Sequence, residues 1–301
     1  MYSICRDSRV MVENIISQSV DYVKTKATDR KTMILGVSGG ADSALVAALA
    51  RMVCDKTKLK LIGISMPIVS NKQDEIDRAK MVGRSFCDHF IVADLTKPYR
   101  HLSDKLVLDQ NPKREALRRA NIKARMRMIA LYDMAQANDG FVLSTDNYTE
   151  YLLGFWTLHG DVGDFGMLQS AWKTEVYCMM DYLATRVYVG GTFKDQSEAL
   201  RACLNAQPTD GLGVSETDFD QIFPNYDKTA SPRENYEKVD QALYEFIING
   251  KITNEHIVAQ HLKTRFKREN PFNIPRKFIL HKPFYIHWHN KMDLASTMGN
   301  L

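Results

Sequence analysis

Four short runs rich in β-branched and aliphatic residues, at positions 32–37, 60–66, 89–93 and 140–144, alternate with longer stretches of helical periodicity. Runs of that length, separated by a dozen or more residues, predict a parallel sheet, because a tight hairpin cannot join parallel neighbours. Right-handed crossovers then put helices on both faces. The expected fold is α/β, a doubly wound parallel sheet followed by a helical C-terminal part. Such a sheet leaves the carboxyl ends of its strands open, so function belongs in the loops that follow them. Val12, Ile15, Ile16, Ser19, Val20 and Val23 repeat at helical spacing ahead of the first run. Met126, Ile129, Ala130 and Met134 do so ahead of the fourth, and both sets predict core-facing helices.

Composition narrows the class without choosing within it. The 301 residues are 45% hydrophobic and 25% charged, an ordinary globular balance that excludes bulk disorder. Forty basic against 36 acidic residues leave a net charge of +4, too small to imply a nucleic-acid or membrane partner. No stretch approaches the roughly 20 apolar residues of a membrane span. Arg6, Asp7 and Arg9 stand where a secretory core would be apolar. Cys5, Cys54, Cys87, Cys178 and Cys203 are scattered, odd in number and without a C-x-x-C pair, which fits a reducing cytoplasm. Periodicity fails over residues 205–232, where Pro208-Thr209-Asp210-Gly211 and Phe223-Pro224-Asn225 predict a surface excursion. The expected organisation is one domain over 1–275 carrying that insertion, then an aromatic extension over 276–301. His281, His287 and His289 in the extension read as packing or dimer contacts in preference to a metal site, since no cysteine or paired carboxylate accompanies them.

The first run leads into Gly36-Val37-Ser38-Gly39-Gly40-Ala41-Asp42-Ser43, a strand, a tight loop and a helix start. Its glycines let backbone approach an anion, Ser38 and Ser43 offer hydroxyls, and the new helix presents unpaired N–H groups at its positive end. Asp42 beside a polyphosphate is repulsive unless a hard cation lies between them, so it reads as a magnesium ligand, or else as a plain helix N-cap. No G-x-x-x-x-G-K-[ST] and no G-x-G-x-x-G are present, which weighs against γ-phosphoryl transfer and hydride transfer. The loop resembles the S-G-G-x-D-S signature of the ATP pyrophosphatases. That resemblance implies an adenine nucleotide alpha hydrolase-like fold in which Gly36, Ser38, Gly39, Gly40, Asp42 and Ser43 bind ATP and the α phosphorus is attacked.

Further motifs choose a branch of that group. Seven basic residues lie between Lys113 and Arg127, a run that alone reads as a solvated helix face. Asn121 and Arg125, four apart, share one face of that helix. Ala120-Asn121-Ile122-Lys123-Ala124-Arg125-Met126-Arg127-Met128 resembles the G-N-[IV]-K-A-R-x-R-M helix of the NAD synthetases, with Ala120 in place of glycine. By that resemblance Asn121 and Arg125 bind deamido-NAD. Ser144-Thr145-Asp146-Asn147-Tyr148-Thr149-Glu150 is similar to the family's G-T-D-x-x-E element, which implies that Thr145 binds ATP and Glu150 is the second magnesium ligand. Alone, Asp146 and Glu150 read as a helix cap and an exposed acid. The run from Gly154 to Asp164 resembles G-[FY]-x-T-x-x-G-D-G-G-x-D, shortened by one residue. It makes Asp164 a substrate ligand and Asp161 the group that holds ammonium and takes its proton. Lys173 matches a lysine on the ATP phosphates, its other reading being a surface lysine. Thr209 matches an ATP-binding threonine, and Lys267 a basic residue that reaches the dinucleotide.

The resemblance implies ATP as co-substrate, Mg2+ as cofactor, deamido-NAD and ammonia as substrates, and a homodimer. The segment before Lys31 leaves no room for a glutamine-hydrolysing domain, so free or partner-supplied ammonia is the expected nitrogen source. Leu158 and Ser65 depart from a lysine and an arginine common in the family, which bears on substrate affinity. Two rivals carry other expectations: an ATP pyrophosphatase with a different acceptor, and a non-catalytic nucleotide-binding relative.

Overall fold

The structure, a computed structural model, describes residues 7–269 except 70, 162, 210–212 and 224. The expected extension over 276–301, its histidines and the 275/276 boundary lie outside the described residues, as does Asp210. Two compact units divide the chain, Met1–Thr264 and Arg265–Leu301.

The first unit opens with α1 (Ser8–Thr25), capped by Asp7, whose carboxylate accepts from the amides of Arg9 (3.0 Å) and Val10 (3.2 Å). The alternation then runs β1 (Thr32–Gly36), α2 (Ala41–Thr57), β2 (Lys60–Ser65), α3 (Gln73–Phe86), β3 (His89–Val92), α4 (Thr96–Ser103), α5 (Pro112–Ala137) and β4 (Gly140–Ser144). After β4 come α6 (Tyr148–Leu153), the two-residue β5 (Phe165–Gly166), α7 (Lys173–Tyr182), α8 (Lys194–Leu204), α9 (Phe219–Ile222), α10 (Pro232–Asn249) and α11 (Glu255–Lys263). In the second unit, α12 (Arg265–Arg268) carries Lys267. Among the described residues no helix is long and apolar enough to cross a membrane.

All five strands pair in parallel in the order β3-β2-β1-β4-β5. Side chains alternate across the sheet as the pleat requires. Met33 and Leu35 face the larger core, which is filled from α1, α2 and α7, while Ile34 faces the opposite core beneath Leu131 and Met134 of α5. Helices therefore cover both faces, as the alternation requires. Helix α2 buries residues around its whole circumference, from Ala44 to Ala50, because it lies between the sheet and an outer layer made by α1, α7 and α8.

Two details differ from the sequence expectation. Ile129, expected in the core, is 63% exposed, because α5 covers the sheet with the stripe through Ala130, Leu131 and Met134 and turns Ile129 outward. The stretch over 205–232 is no free excursion: α9 buries Phe219 and Ile222 completely, and the Tyr236 ring of α10 packs at a tilt against Phe219. The topology also locates the site. The chain runs outward from β1 through β2 to β3, then returns to the other side of β1 to form β4. The crevice beyond the ends of β1 and β4 is thus the topological switch point, where an open α/β sheet receives its ligand.

Candidate active site

Residues 37–40 follow β1 and lead directly into α2. Gly39 has φ +82°, and a Cβ there would lie 2.3 Å from the carbonyl oxygen of Glu75, so only glycine fits. The loop is held from within: Ser38 Oγ and Ser43 Oγ are 2.9 Å apart, and Ser38 Oγ accepts from Gly40 N at 3.1 Å. The N-cap of α2 is Gly40, which contributes no capping side chain, so the first amides of α2 remain available to an anion. Asp42 stands in the first turn, which removes the N-cap reading for it.

Beyond β4, Asn147 caps α6, and Glu150 closes the capping box through its Oε2. Its other oxygen, Oε1, accepts from Lys173 Nζ at 3.0 Å. The same ammonium bonds Asp42 Oδ2, while Asn147 Nδ2 donates to Asp42 Oδ1 at 2.9 Å. Two carboxylates from the first turns of α2 and α6 therefore converge on one nitrogen, which puts their oxygens within about 6 Å of each other. Lys173 is only 3% exposed, so it is no surface lysine, and its ammonium lies 5.3 Å from the centre of the Tyr236 ring. Burial disfavours the charge on Lys173, but Asp42 and Glu150 outweigh it and hold the pKa well above the ordinary lysine range. Burial pushes the Glu150 carboxyl upward, and Lys173 pulls it back.

Thr145, Asp146, Asp161 and Thr209 line the same crevice with the 36–43 loop, Glu150 and Lys173. Thr209 donates to Glu75 Oε1 at 2.7 Å, and Asp161 Oδ2 accepts from Thr157 N at 2.6 Å. Burial, followed by Glu150, Asp161 and Asp42, raises the Asp146 carboxyl well above its ordinary value. Asn121, Arg125 and Asp164 are not part of the lining. Asn121 accepts from Thr157 Oγ1 at 2.8 Å and Arg125 donates to the Leu158 carbonyl at 3.2 Å, so both sit where α5 meets the 154–164 segment. Asp164 is engaged by the scaffold, accepting from Val142 N at 2.8 Å and Tyr132 Oη at 3.2 Å. Lys267 belongs to the second unit, on α12.

Sequence reasoning did not single out Arg78, Asp218 or a lining role for Arg127, all of which face the crevice. Arg78 donates to the Gly39 carbonyl at 3.0 Å, and Arg127 to the Met66 carbonyl at 3.1 Å and Asn71 Oδ1 at 2.8 Å. Arg127 thus brings a guanidinium to the end of β2, beside Ser65, where the resemblance led one to expect an arginine on the strand itself. Asp218 accepts from the Tyr236 hydroxyl at 3.0 Å. Among the described residues the lining carries six acidic side chains, Asp42, Glu75, Asp146, Glu150, Asp161 and Asp218, against three basic ones, Arg78, Arg127 and Lys173.

A five-stranded parallel sheet with a glycine-serine loop, paired carboxylates and a buried lysine at its switch point defines a nucleotide-binding α/β protein. The chain belongs to the NAD synthase family, whose profile matches residues 11–271. It is 30% identical to the NH3-dependent NAD+ synthetase of Mycoplasmopsis pulmonis, covering 86% of this chain and 89% of that protein. With the enzyme of the same name from Finegoldia magna it shares 32% identity over 68% of this chain and 76% of that protein. Solved structures share the fold, among them the following two. The NH3-dependent NAD synthetase of Campylobacter jejuni, in complex with nitrate ion, aligns with a TM-score of 0.64 at 20% identity, covering 89% of this chain and all of that one. The NMN synthetase of Francisella tularensis aligns with a TM-score of 0.68 at 21% identity, covering 89% and 99%.

Proposed function

We propose that this protein amidates deamido-NAD with ammonia at the expense of ATP, giving NAD, AMP and pyrophosphate, and that it works as a cytoplasmic homodimer. The observation that carries the reading is the junction of Asp42, Glu150 and Lys173 above the 36–43 loop. The nicotinate carboxylate attacks the α phosphorus, pyrophosphate departs, and ammonia then displaces AMP from the acyl adenylate. Carboxylate itself is a poor acyl donor because its leaving group is oxide, and adenylation replaces that with a stable phosphate ester.

This chain's residues supply charge and position. The 36–43 loop and the first amides of α2 receive phosphate oxygens, Thr145 and Thr209 border the nucleotide, and Lys173 meets the negative charge developing on pyrophosphate. Asn121 and Arg125 take the acceptor. Asp161 holds ammonium and accepts the proton it sheds on attack. A lining with twice as many acidic as basic side chains repels a bare triphosphate, which supports Mg2+ as the accompanying ion. Asp42 and Glu150 would hold the ion, since they offer the hard oxygen donors magnesium prefers. The bound ion would neutralise phosphate charge in the transition state.

The test is one assay: purified protein with Mg-ATP, deamido-NAD and ammonium, following NAD, AMP and pyrophosphate. Equal yields of the three are the expected result. Pyrophosphate without NAD points to another acceptor, and no ATP turnover overturns the enzymatic reading.

A further inference from the structure

We propose that Asp240, a carboxylate on α10 outside the crevice, is a positioning residue that sets Glu150 and Lys173 against each other; the proposal rests on the reading of the site given above. Asp240 is completely buried. Its Oδ1 accepts from Thr149 Oγ1 at 2.5 Å, and its Oδ2 accepts from the amide (2.9 Å) and hydroxyl (2.6 Å) of Thr174. Thr149 precedes Glu150 and Thr174 follows Lys173, so one carboxylate binds the immediate neighbours of both charged groups. The ring closes through Thr149 Oγ1, which accepts from Lys173 N at 2.9 Å.

The arrangement performs a task that α7 cannot perform for itself. Trp172, its N-cap, supplies no capping side chain, and an indole N–H can only donate. The first amides of α7 are satisfied instead from α6 and α10, which locks the start of α7 to the start of α6. Asp240 lies on the buried stripe of α10 with Tyr236, Val239 and Leu243, where an apolar side chain would pack without desolvating a charge. An acid at that position is explained by its geometry: three charge-assisted hydrogen bonds define the positions of two helix starts more narrowly than packing does.

The test compares Asp240→Asn, Thr174→Val and Thr174→Ser in the full chain. Thr174→Val removes one hydroxyl bond while keeping shape and backbone, so it carries the test if Asp240→Asn does not fold. Measured are the thermal midpoint, kcat for pyrophosphate release, KM for deamido-NAD, and the dissociation constant of Mg-ATP by calorimetry. Displacing reacting groups by a fraction of an ångström lowers kcat by about 10-fold to 100-fold, with KM for deamido-NAD within about twofold. Weaker Mg-ATP binding accompanies that loss, and Thr174→Ser restores both. Folded Asp240→Asn and Thr174→Val proteins with unchanged kcat and Mg-ATP affinity overturn the proposal, as does a serine variant no better than valine. If the unsubstituted protein turns over no ATP, the parent reading fails instead, and the calorimetric comparison still decides the role of Asp240.

Discussion

Replacing Lys173 by methionine keeps the side-chain length and removes the charge that two buried carboxylates share. Lys173 is 3% exposed and bonds both Asp42 and Glu150, so its loss leaves those groups facing each other without a cation. Breaking a buried ion pair in this way costs about 3–5 kcal/mol. For a domain of this size, at about 2–4 °C per kcal/mol, the midpoint should fall by roughly 10 °C at neutral pH. The pH dependence follows from the direction of the shifts. Burial already raises Glu150, with Lys173 opposing, so removing Lys173 raises the folded-state pKa further above its unfolded value of about 4. An acid with a raised folded pKa binds its proton more tightly in the native state, so stability falls as pH climbs from the unfolded pKa through the folded one. Lys173→Met should therefore cost least where Glu150 is protonated and progressively more toward alkaline pH. Magnesium should recover part of the loss, since two freed carboxylates make a better divalent-cation site. Urea titrations from pH 4 to 8, with and without Mg2+, measure both effects. A penalty that is flat across pH and indifferent to Mg2+ would refute the electrostatic account of the junction.

Gly39→Ala should destabilise the chain by about 1–3 kcal/mol and abolish nucleotide binding, because positive φ and the Glu75 carbonyl both exclude a Cβ. Gly190→Ala is the matched control, having φ +93° but nothing within 4 Å of the added atom; equal effects on ATP affinity would contradict the close-approach explanation. Arg125→Ala should raise KM for deamido-NAD about tenfold or more while leaving KM for ATP within about twofold, and steady-state titration of each substrate separates the two.

The fold was legible because the period of hydrophobicity changes along the chain. The four main strands were located to within a residue at their C-terminal ends, while β5 escaped notice because two residues carry no period. The loops after β1 and β4 were legible for a different reason: each departs from what an ordinary loop requires. Gly39 and Gly40 beside two serines, and carboxylates where phosphate binding alone would want none, are locally expensive choices that announce a function. What stayed hidden depends on long-range pairing. Nothing near Asp218 in the sequence indicates that α9 folds it against Tyr236. Arg127 looked like one more charge in a basic run until α5 carried it to the end of β2. Asp240 did leave a trace, a charged residue on an otherwise apolar helical stripe, but its partners Thr149 and Thr174 are 91 and 66 residues away. Asp164 shows the converse, a motif residue whose observed bonds tie strand and helix together.

The acidic excess in the crevice bears on the second substrate as much as on the first. Ammonium is a cation and ammonia the nucleophile, so the site must attract the one and produce the other. Burial first, and then the field of Glu150, Asp161 and Asp42, raises the Asp146 carboxyl well above its ordinary range. The same field concentrates a small cation. Asp161 sits at the edge of this group with one oxygen fixed by the Thr157 amide, which orients the carboxylate toward the crevice. Asp161→Asn keeps that shape, since the amide oxygen can still accept from Thr157, but removes both the charge and the proton acceptor. KM for ammonium should rise about tenfold, equivalent to about 1.4 kcal/mol of lost attraction, while KM for ATP stays close to its original value. If Asp161 also takes the proton, the variant should regain rate as pH rises and free ammonia replaces ammonium in solution. Rates measured across pH at saturating Mg-ATP, with ammonium varied at each pH, distinguish the roles. Recovery at high pH with a persistently high KM assigns proton acceptance alongside attraction. A deficit constant across pH leaves attraction alone, and an unchanged KM for ammonium removes Asp161 from the nitrogen site altogether.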